Sequence, residues 1–199
     1  MSVADLIARD VRAGTFAPGS WLKQIDLEHR YRCGRSDIRR ALDYLAQKRL
    51  VQHVPNRGYH VVLPDSDQTA HILELRIILE TAAVDSIVAN ATPDAIMRID
   101  AQACRFDEMI LNGTILDQYE ANLAFHRDLL SLCSNPELFS LVTDLRSRTS
   151  SALAGQWSTR ARVEQSSREH HEMIKALEAR DVQQLKDIIT RHILQPKDR

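Results

Sequence analysis

Four residues in the second half of the chain have the types and spacing of a metal site. Asn122 and His126 lie four apart in a stretch of helical pattern from Asp117 to Leu132, so both project from one helix face. His170 and His192 stand almost symmetrically on either side of the break Ala179-Arg180-Asp181. If the flanking helices fold back antiparallel there, each imidazole lies about 15 Å from the turn at ~1.5 Å per residue, and the two sit side by side. Three imidazoles and an amide oxygen converging inside a bundle suit zinc, nickel or a similar borderline divalent ion, with positions left for water or a small ligand. Spacing alone leaves a second reading open, in which these histidines are structural or touch a ligand directly. His29, His53, His60, His71 and His171 are read as hydrogen-bonded or surface residues; His171 points about 100° away from His170 on the same helix.

A second constellation lies near the start. Arg35, Ser36, Arg39 and Arg40 sit at the beginning of a helical stretch, with Arg35 and Arg39 one turn apart on one face, where side chains can reach base edges and phosphates in the major groove. Arg57 and Gly58 occupy the tip of an expected hairpin, where the backbone approaches closely and the guanidinium can enter the minor groove or grip phosphates. Charge segregates accordingly. Residues 1–64 carry 11 Lys and Arg against 6 Asp and Glu, net +5, whereas residues 65–199 carry 15 against 21, net -6. A basic head on an acidic body points to a polyanion met by the head alone.

The elements that must position these groups follow from periodicity. Val3, Leu6, Ile7 and Val11 predict a first helix ending at Gly14, and Gln24–Arg32 and Ser36–Leu50 predict two more, broken at Cys33-Gly34. Two helices joined by a tight glycine-bearing turn make a helix-turn-helix. Val51–Val54, a Pro55-Asn56-Arg57-Gly58 turn and Tyr59–Leu63 read as a β-hairpin, the wing. Pro64-Asp65-Ser66-Asp67 is a polar break, which sets domain limits of 1–64 and 65–199. Six helical segments follow, at 68–90, 93–112, 116–134, 136–150, 160–179 and 181–194. The fold class is therefore mainly α: a winged helix-turn-helix followed by an antiparallel bundle of about six helices.

The runs Gly14-Thr15-Phe16-Ala17-Pro18-Gly19, Gly34–Leu42 and Asn56-Arg57-Gly58-Tyr59-His60-Val61-Val62 resemble the DNA-binding domain of GntR-family regulators. The resemblance implies operator contacts from Arg35, Ser36, Arg39, Arg57 and Gly58. Gly34 and Asp37 depart from the family, which usually has Ser or Thr at the first position and often Pro or Thr at the second. Gly is tolerated as an N-cap and Asp suits a first helical turn, so the helix is expected to form. The second half is similar to the FCD ligand-binding domain of the FadR branch through Arg76–Glu80, Asn122–His126, Asn135-Pro136, Glu169-His170 and His192. Six helices fit the VanR-like subgroup. In metal-binding members, an Asp and three His are ligands, which carry over to Asn122, His126, His170 and His192; Asn in place of Asp adds no negative charge.

The resemblance also implies a small organic acid beside the metal. Arg76 is the candidate to grip its carboxylate bidentately, although an i, i+4 pair with Glu80 would equally explain it. Arg146 is a second candidate. The expected whole is a homodimeric repressor of double-stranded operator DNA controlled by a carboxylate effector. A metal-dependent hydrolase-type enzyme and a metal-free, ligand-responsive regulator are the alternatives. No long apolar run or leader-like N-terminus is present, so a cytoplasmic location without membrane contact is expected. Cys33, Cys104 and Cys133 form neither a disulfide framework nor a thiolate site.

Overall fold

A computed structural model describes residues 2–63, 66–149 and 159–194. Among them, nine helices and three strands occur: α1 (Val3–Arg12), β1 (Trp21–Leu22), α2 (Gln24–Tyr31), α3 (Arg35–Gln47), β2 (Val51–Val54), β3 (Gly58–Val61), α4 (Ser66–Asn90), α5 (Pro93–Asn112), α6 (Ile115–Leu130), α7 (Pro136–Thr149), α8 (Arg160–Glu178) and α9 (Val182–Leu194). The chain separates into two compact units, the first containing Met1–Gln68 and the second Thr69–Arg146. The break at Pro64-Asp65 lies outside the described residues. No described helix is long and apolar enough to cross a membrane.

In the first unit, Ile7 and Val11 of α1, Leu27 of α2, and Ile38, Leu42 and Leu45 of α3 share one core with Val51, Tyr59 and Val61 of the hairpin. Asp10, buried on α1, accepts hydrogen bonds from Arg30 Nε and Tyr31 Oη, each at 2.8 Å, and so ties the first helix to the second. Arg32 turns left-handed (φ 51°) to end α2, and Gly34 is the N-cap of α3, without a side-chain cap. The strands are antiparallel in the order β1-β3-β2. Val54 faces Gly58 across the hairpin, and Gly58 has φ 102°, a conformation that favours glycine. Strand β1, with Trp21 opposite His60, is a third strand beyond the expected hairpin. At two residues, it is too short for alternation to announce it.

The second unit carries the six expected helices, and each puts an apolar stripe into a common core. Ala83, Val84 and Ile87 of α4, Ile99 and Ala103 of α5, Phe125 and Leu129 of α6, Met173 and Leu177 of α8, and Leu185 and Ile189 of α9 form its centre. Helix α6 matters most for positioning. Thr114 accepts from the Asp117 amide while Asp117 accepts from the Thr114 amide, a capping box. Gly113 precedes it, where a Cβ would lie 2.8 Å from the Met109 carbonyl oxygen, so the α5–α6 turn leaves no room for a side chain. Thr114→Ala is expected to cost about 1 kcal/mol, read as a lower urea midpoint with an unaltered slope; an unchanged midpoint would show that the cap contributes nothing.

Candidate metal centre

The inward stripes place three histidines together. On α6, His126 follows buried Phe125; on α8, His170 lies one turn from Met173 and Ile174; on α9, His192 lies one turn from Ile188 and Ile189. Helices α8 and α9 turn back on each other through Ala179–Asp181, with Arg180 left-handed at φ 53°. The His170 and His192 rings are 5.2 Å apart, and each is 4.9 Å from the His126 ring. Arg180 also donates to the carbonyls of Val88 and Ala91, at 3.3 and 3.4 Å, covering the end of α4.

His126 Nε2 lies 3.2 Å from His170 Nε2 and 3.1 Å from His192 Nε2. Those separations match nitrogens on one ion at metal–nitrogen distances of about 2.0–2.1 Å and angles between about 90° and 110°. All three rings are buried. Burial foremost, then the Arg146 charge, drives His126 well below the usual imidazole range. Burial and the neighbouring His192 do the same to His170. Burial also lowers His192, against the opposing pull of Glu169. Neutral imidazoles are the form that ligates a cation.

Around the cluster, the donor set is only partly satisfied. His192 Nδ1 lies 2.7 Å from Glu169 Oε2, which fixes the proton on Nδ1 and leaves the Nε2 lone pair facing the other rings. Glu169 is itself held by both terminal nitrogens of Arg162, at 3.2 and 3.0 Å. Burial pushes the Glu169 carboxyl up, but the hydrogen bonds from His192 and Arg162 outweigh it and hold it at about 2. Phe125 stacks on His170 at 3.9 Å. Asn122 Oδ1, one turn from His126, is buried with no hydrogen-bond partner, as is His170 Nδ1. An orphaned amide oxygen near three converging imidazoles is what a cation site would satisfy, so the residues fit a divalent metal.

The two arginines occupy different places. The stripe that buries Ala83 and Ile87 of α4 continues upstream as Glu80 and Arg76, both buried. Arg76 Nε donates to Glu80 Oε1 at 2.9 Å, as the i, i+4 spacing allowed. Arg146, projecting from α7 next to buried Leu145, donates through Nη2 to Glu80 Oε2 at 2.5 Å. The same Nη2 lies 3.1 Å from His126 Nδ1. Burial lowers Arg146 to about 10 while Glu80 counteracts it. Burial raises Glu80, but Arg146 and Arg76 together bring it below the usual carboxylate value. Arg146 and His126 also line a half-open cavity of about 440 Å³, with Arg105, Glu120, Arg127 and Thr143 among its other walls. Arg76 is linked to Arg146 on that wall through the Glu80 carboxylate that both engage.

Arg162 is a site residue to which the sequence assigns no role, while Glu80 enters there only as the i, i+4 partner of Arg76 and Glu169 only beside His170. Glu169 lies about 100° from His170 around the same helix, and its side chain reaches the neighbouring helix at His192. The i, i+7 spacing of Arg162 and Glu169 was the available signal.

In the first unit, Arg35, Ser36, Arg39 and Arg40 are all exposed along the start of α3. Arg35 Nε donates to Gln24 Oε1 at 3.3 Å, which joins the two helices of the helix-turn-helix. Arg40 pairs with Asp37 one turn away, so the acidic departure is neutralised within the helix. Arg57, exposed at the hairpin tip beside Gly58, stacks over the Trp21 ring at 4.9 Å, a cation–π contact that rigidifies the wing.

Comparison with known proteins decides the family. Residues 1–61 match the bacterial regulatory proteins of the gntR family, and residues 71–195 match the FCD domain. The chain belongs to the GntR family. It is a transcription regulator with a DNA-binding winged helix-turn-helix and an FCD domain, and not an enzyme. It is similar to an uncharacterized HTH-type transcriptional regulator, BphR, of Paraburkholderia xenovorans (strain LB400), at 33% identity over 63% of this chain and 54% of that protein. It also resembles the HTH-type transcriptional repressor GlaR of Escherichia coli (strain K12), at 24% identity over 96% of this chain and 90% of the repressor. Among solved structures, E. coli McbR/YncC has the same fold, with a TM-score of 0.84 at 19% identity, covering 97% of the regulator and 92% of that chain.

Proposed function

We propose that the regulator is a homodimeric repressor whose operator affinity is set by a small carboxylate bound in the FCD domain beside a divalent metal, zinc or nickel. The observation that carries this reading is the meeting of three buried imidazole nitrogens beside a cavity that shares His126 and Arg146 with them. His126, His170 and His192 hold the ion, with the Asn122 oxygen as an uncharged fourth ligand. When bound, the metal offers open positions to a carboxylate oxygen as a Lewis acid. Arg146 faces the same anion from the cavity wall, and Arg76 braces it by sharing Glu80. A cavity of this size suits a small organic acid. The domain limits proposed are 1–64 for DNA binding and 65–199 for sensing, and six helices favour the VanR-like subgroup.

Arg35, Ser36, Arg39, Arg40, Arg57 and Gly58 contact the operator, with α3 in the major groove and the wing at the backbone or minor groove. A two-fold dimer puts two recognition helices about 34–36 Å apart, or a multiple of that. The repressor sign accords with GlaR, which is named a repressor. DNase footprinting on an operator recovered from genomic DNA tests the whole. Expected is a symmetric protected site that opens when the acid co-purified with the protein is added back. An asymmetric footprint, or one indifferent to that acid, contradicts it.

Glu169 gives a prediction of its own. Glu169→Gln keeps its size but no longer fixes the His192 proton as a carboxylate does, and should weaken zinc binding by about 10–100-fold in competition with a chromophoric chelator. Unaltered affinity would remove Glu169 from the site.

A further inference from the structure

The three strands of the first unit put two sets of side chains on opposite faces of their sheet. Leu22 of β1, Val51 of β2, and Tyr59 and Val61 of β3 turn inward and are buried. Trp21 and His60, paired across β1 and β3, turn outward, and Trp21 is 41% exposed. Their rings meet edge-on at 5.1 Å, so the indole has a cross-strand neighbour beside it. Over its face lies the Arg57 guanidinium, 4.9 Å from the ring centroid. The turn that delivers Arg57 is shaped on both sides: Asn56 has φ 61° and Gly58 φ 102°, and the Arg57 amide donates to the Val54 carbonyl at 3.1 Å. Backbone and ring thus hold the two ends of one side chain.

The manner of holding has a chemical consequence. An arginine tied to a carboxylate or an amide spends donors on it, as Arg30 does on Asp10, Arg35 on Gln24 and Arg40 on Asp37 in the same unit. Arg57 is restrained by a ring face. Stacking engages the flat side of the guanidinium, while its five N–H donors point outward in the plane of the group.

We propose that Trp21 is a positioning residue for DNA recognition: its indole presets the Arg57 guanidinium at the wing tip with the donor edge turned to the operator, and the stack persists in the complex. The inference rests on the reading that Arg57 contacts the operator and adds what prepares it to do so. Ordering a long side chain at the moment of binding costs affinity, and an arginine ordered beforehand avoids that cost. The two-residue strand β1 thereby has a task beyond filling a sheet edge, since it places the indole within reach of the hairpin tip. Leu22, not Trp21, anchors that strand in the core, so the indole can be exchanged without emptying it.

Fluorescence anisotropy of the full-length protein on the operator duplex compares Trp21→Leu, Trp21→Phe, Arg57→Ala and the double variant Trp21→Leu/Arg57→Ala with the unaltered chain. Trp21→Leu keeps apolar bulk but has no π face, and should weaken binding about two- to fivefold for each wing engaged, the ratio that corresponds to an exposed cation–π contact. Trp21→Phe retains a ring and should retain most of the affinity. In the Arg57→Ala background, Trp21→Leu should cost nothing further, because the side chain it positions is gone. Unaltered affinity of Trp21→Leu, equal losses from it with and without Arg57, or a Trp21→Phe variant as weak as Trp21→Leu would each overturn the positioning role while leaving Arg57 as an operator contact. Full affinity of Arg57→Ala would overturn both. Proton spectra of the natural sequence give a reading that needs no variant to fold: stacked on the indole, the Arg57 Hδ protons are shifted upfield by the ring current, and the shift should remain when operator is added. Its absence from the protein alone, or its loss on the operator, would show that the ring does not hold this arginine for DNA.

Discussion

His126→Ala is expected to abolish metal binding, and its loss should exceed the about 10–100-fold that removing an outer partner costs. His126 supplies the nitrogen within 3.1–3.2 Å of both others, so its removal leaves two imidazoles that no longer enclose an ion from three sides. The acid then lacks the metal that offers it open positions, so the operator response to the acid should vanish with the metal. Elemental analysis after dialysis against excess zinc reads the first effect. Far-UV circular dichroism separates it from unfolding, since the ring is almost wholly buried. The double variant Asn122→Ala/His126→Ala should hold no more metal than the single one. Equal metal in the variants and the unaltered protein would show that these residues are structural.

The second large effect belongs to the recognition helix. Arg35→Ala and Arg39→Ala should each weaken specific operator binding by about 1–3 kcal/mol, near 5- to 150-fold, and relax preference at the base each one reads. Arg35 should fall towards the lower end, because Gln24 already engages its Nε. Arg40→Ala should cost less than either, since part of its charge is directed at Asp37. Asp37→Asn should then strengthen non-specific binding by releasing Arg40 and removing a negative charge near phosphates, and it should steepen the salt dependence. Anisotropy titrations over a range of salt concentrations distinguish the cases. A uniform loss across all sequences for Arg39→Ala would mark it as a phosphate contact instead of a base reader.

The parts legible in the sequence were those governed by helical period and turn chemistry. His170 and His192 could be paired because they stand almost equally far from the break Ala179–Asp181, and two antiparallel helices then have a fixed register. Asn122 and His126 followed from i, i+4 spacing alone. The helix-turn-helix was announced by Cys33-Gly34, although the left-handed residue that ends α2 is Arg32. The illegible parts are contacts between helices far apart in sequence. Arg146 meets Glu80 across 66 positions and His126 across 20, distances over which no local pattern acts. The contact of Glu169 with His192 is of the same kind, since a glutamate is long enough to leave its own helix face and reach the next helix. Strand β1 was missed for the opposite reason: two residues have no period, and Trp21-Leu22 becomes a strand only because β3 offers it an edge.

The electrostatics of the site explain why so many charges are tolerated in a core. Glu80 lies between two guanidinium groups, and Glu169 between Arg162 and His192. Both carboxylates stay ionised, and the histidines they adjoin stay neutral. Breaking one member of such a buried group leaves an uncompensated charge, which is strongly destabilising, whereas its presence adds little net stability. The arrangement is thus better understood as a device for holding side chains at a ligand site than as a brace for the fold.

Native mass spectrometry of the protein after zinc loading tests the central claim most directly, because it reports subunit number, metal and retained acid in one spectrum. The account predicts a dimer carrying one zinc per chain, with the metal lost in His126→Ala and a small-acid adduct present only on the zinc-bearing species. A folded dimer that takes up no zinc, or one that retains the acid equally with and without it, would contradict the proposal that this GntR-family regulator senses through a histidine metal centre.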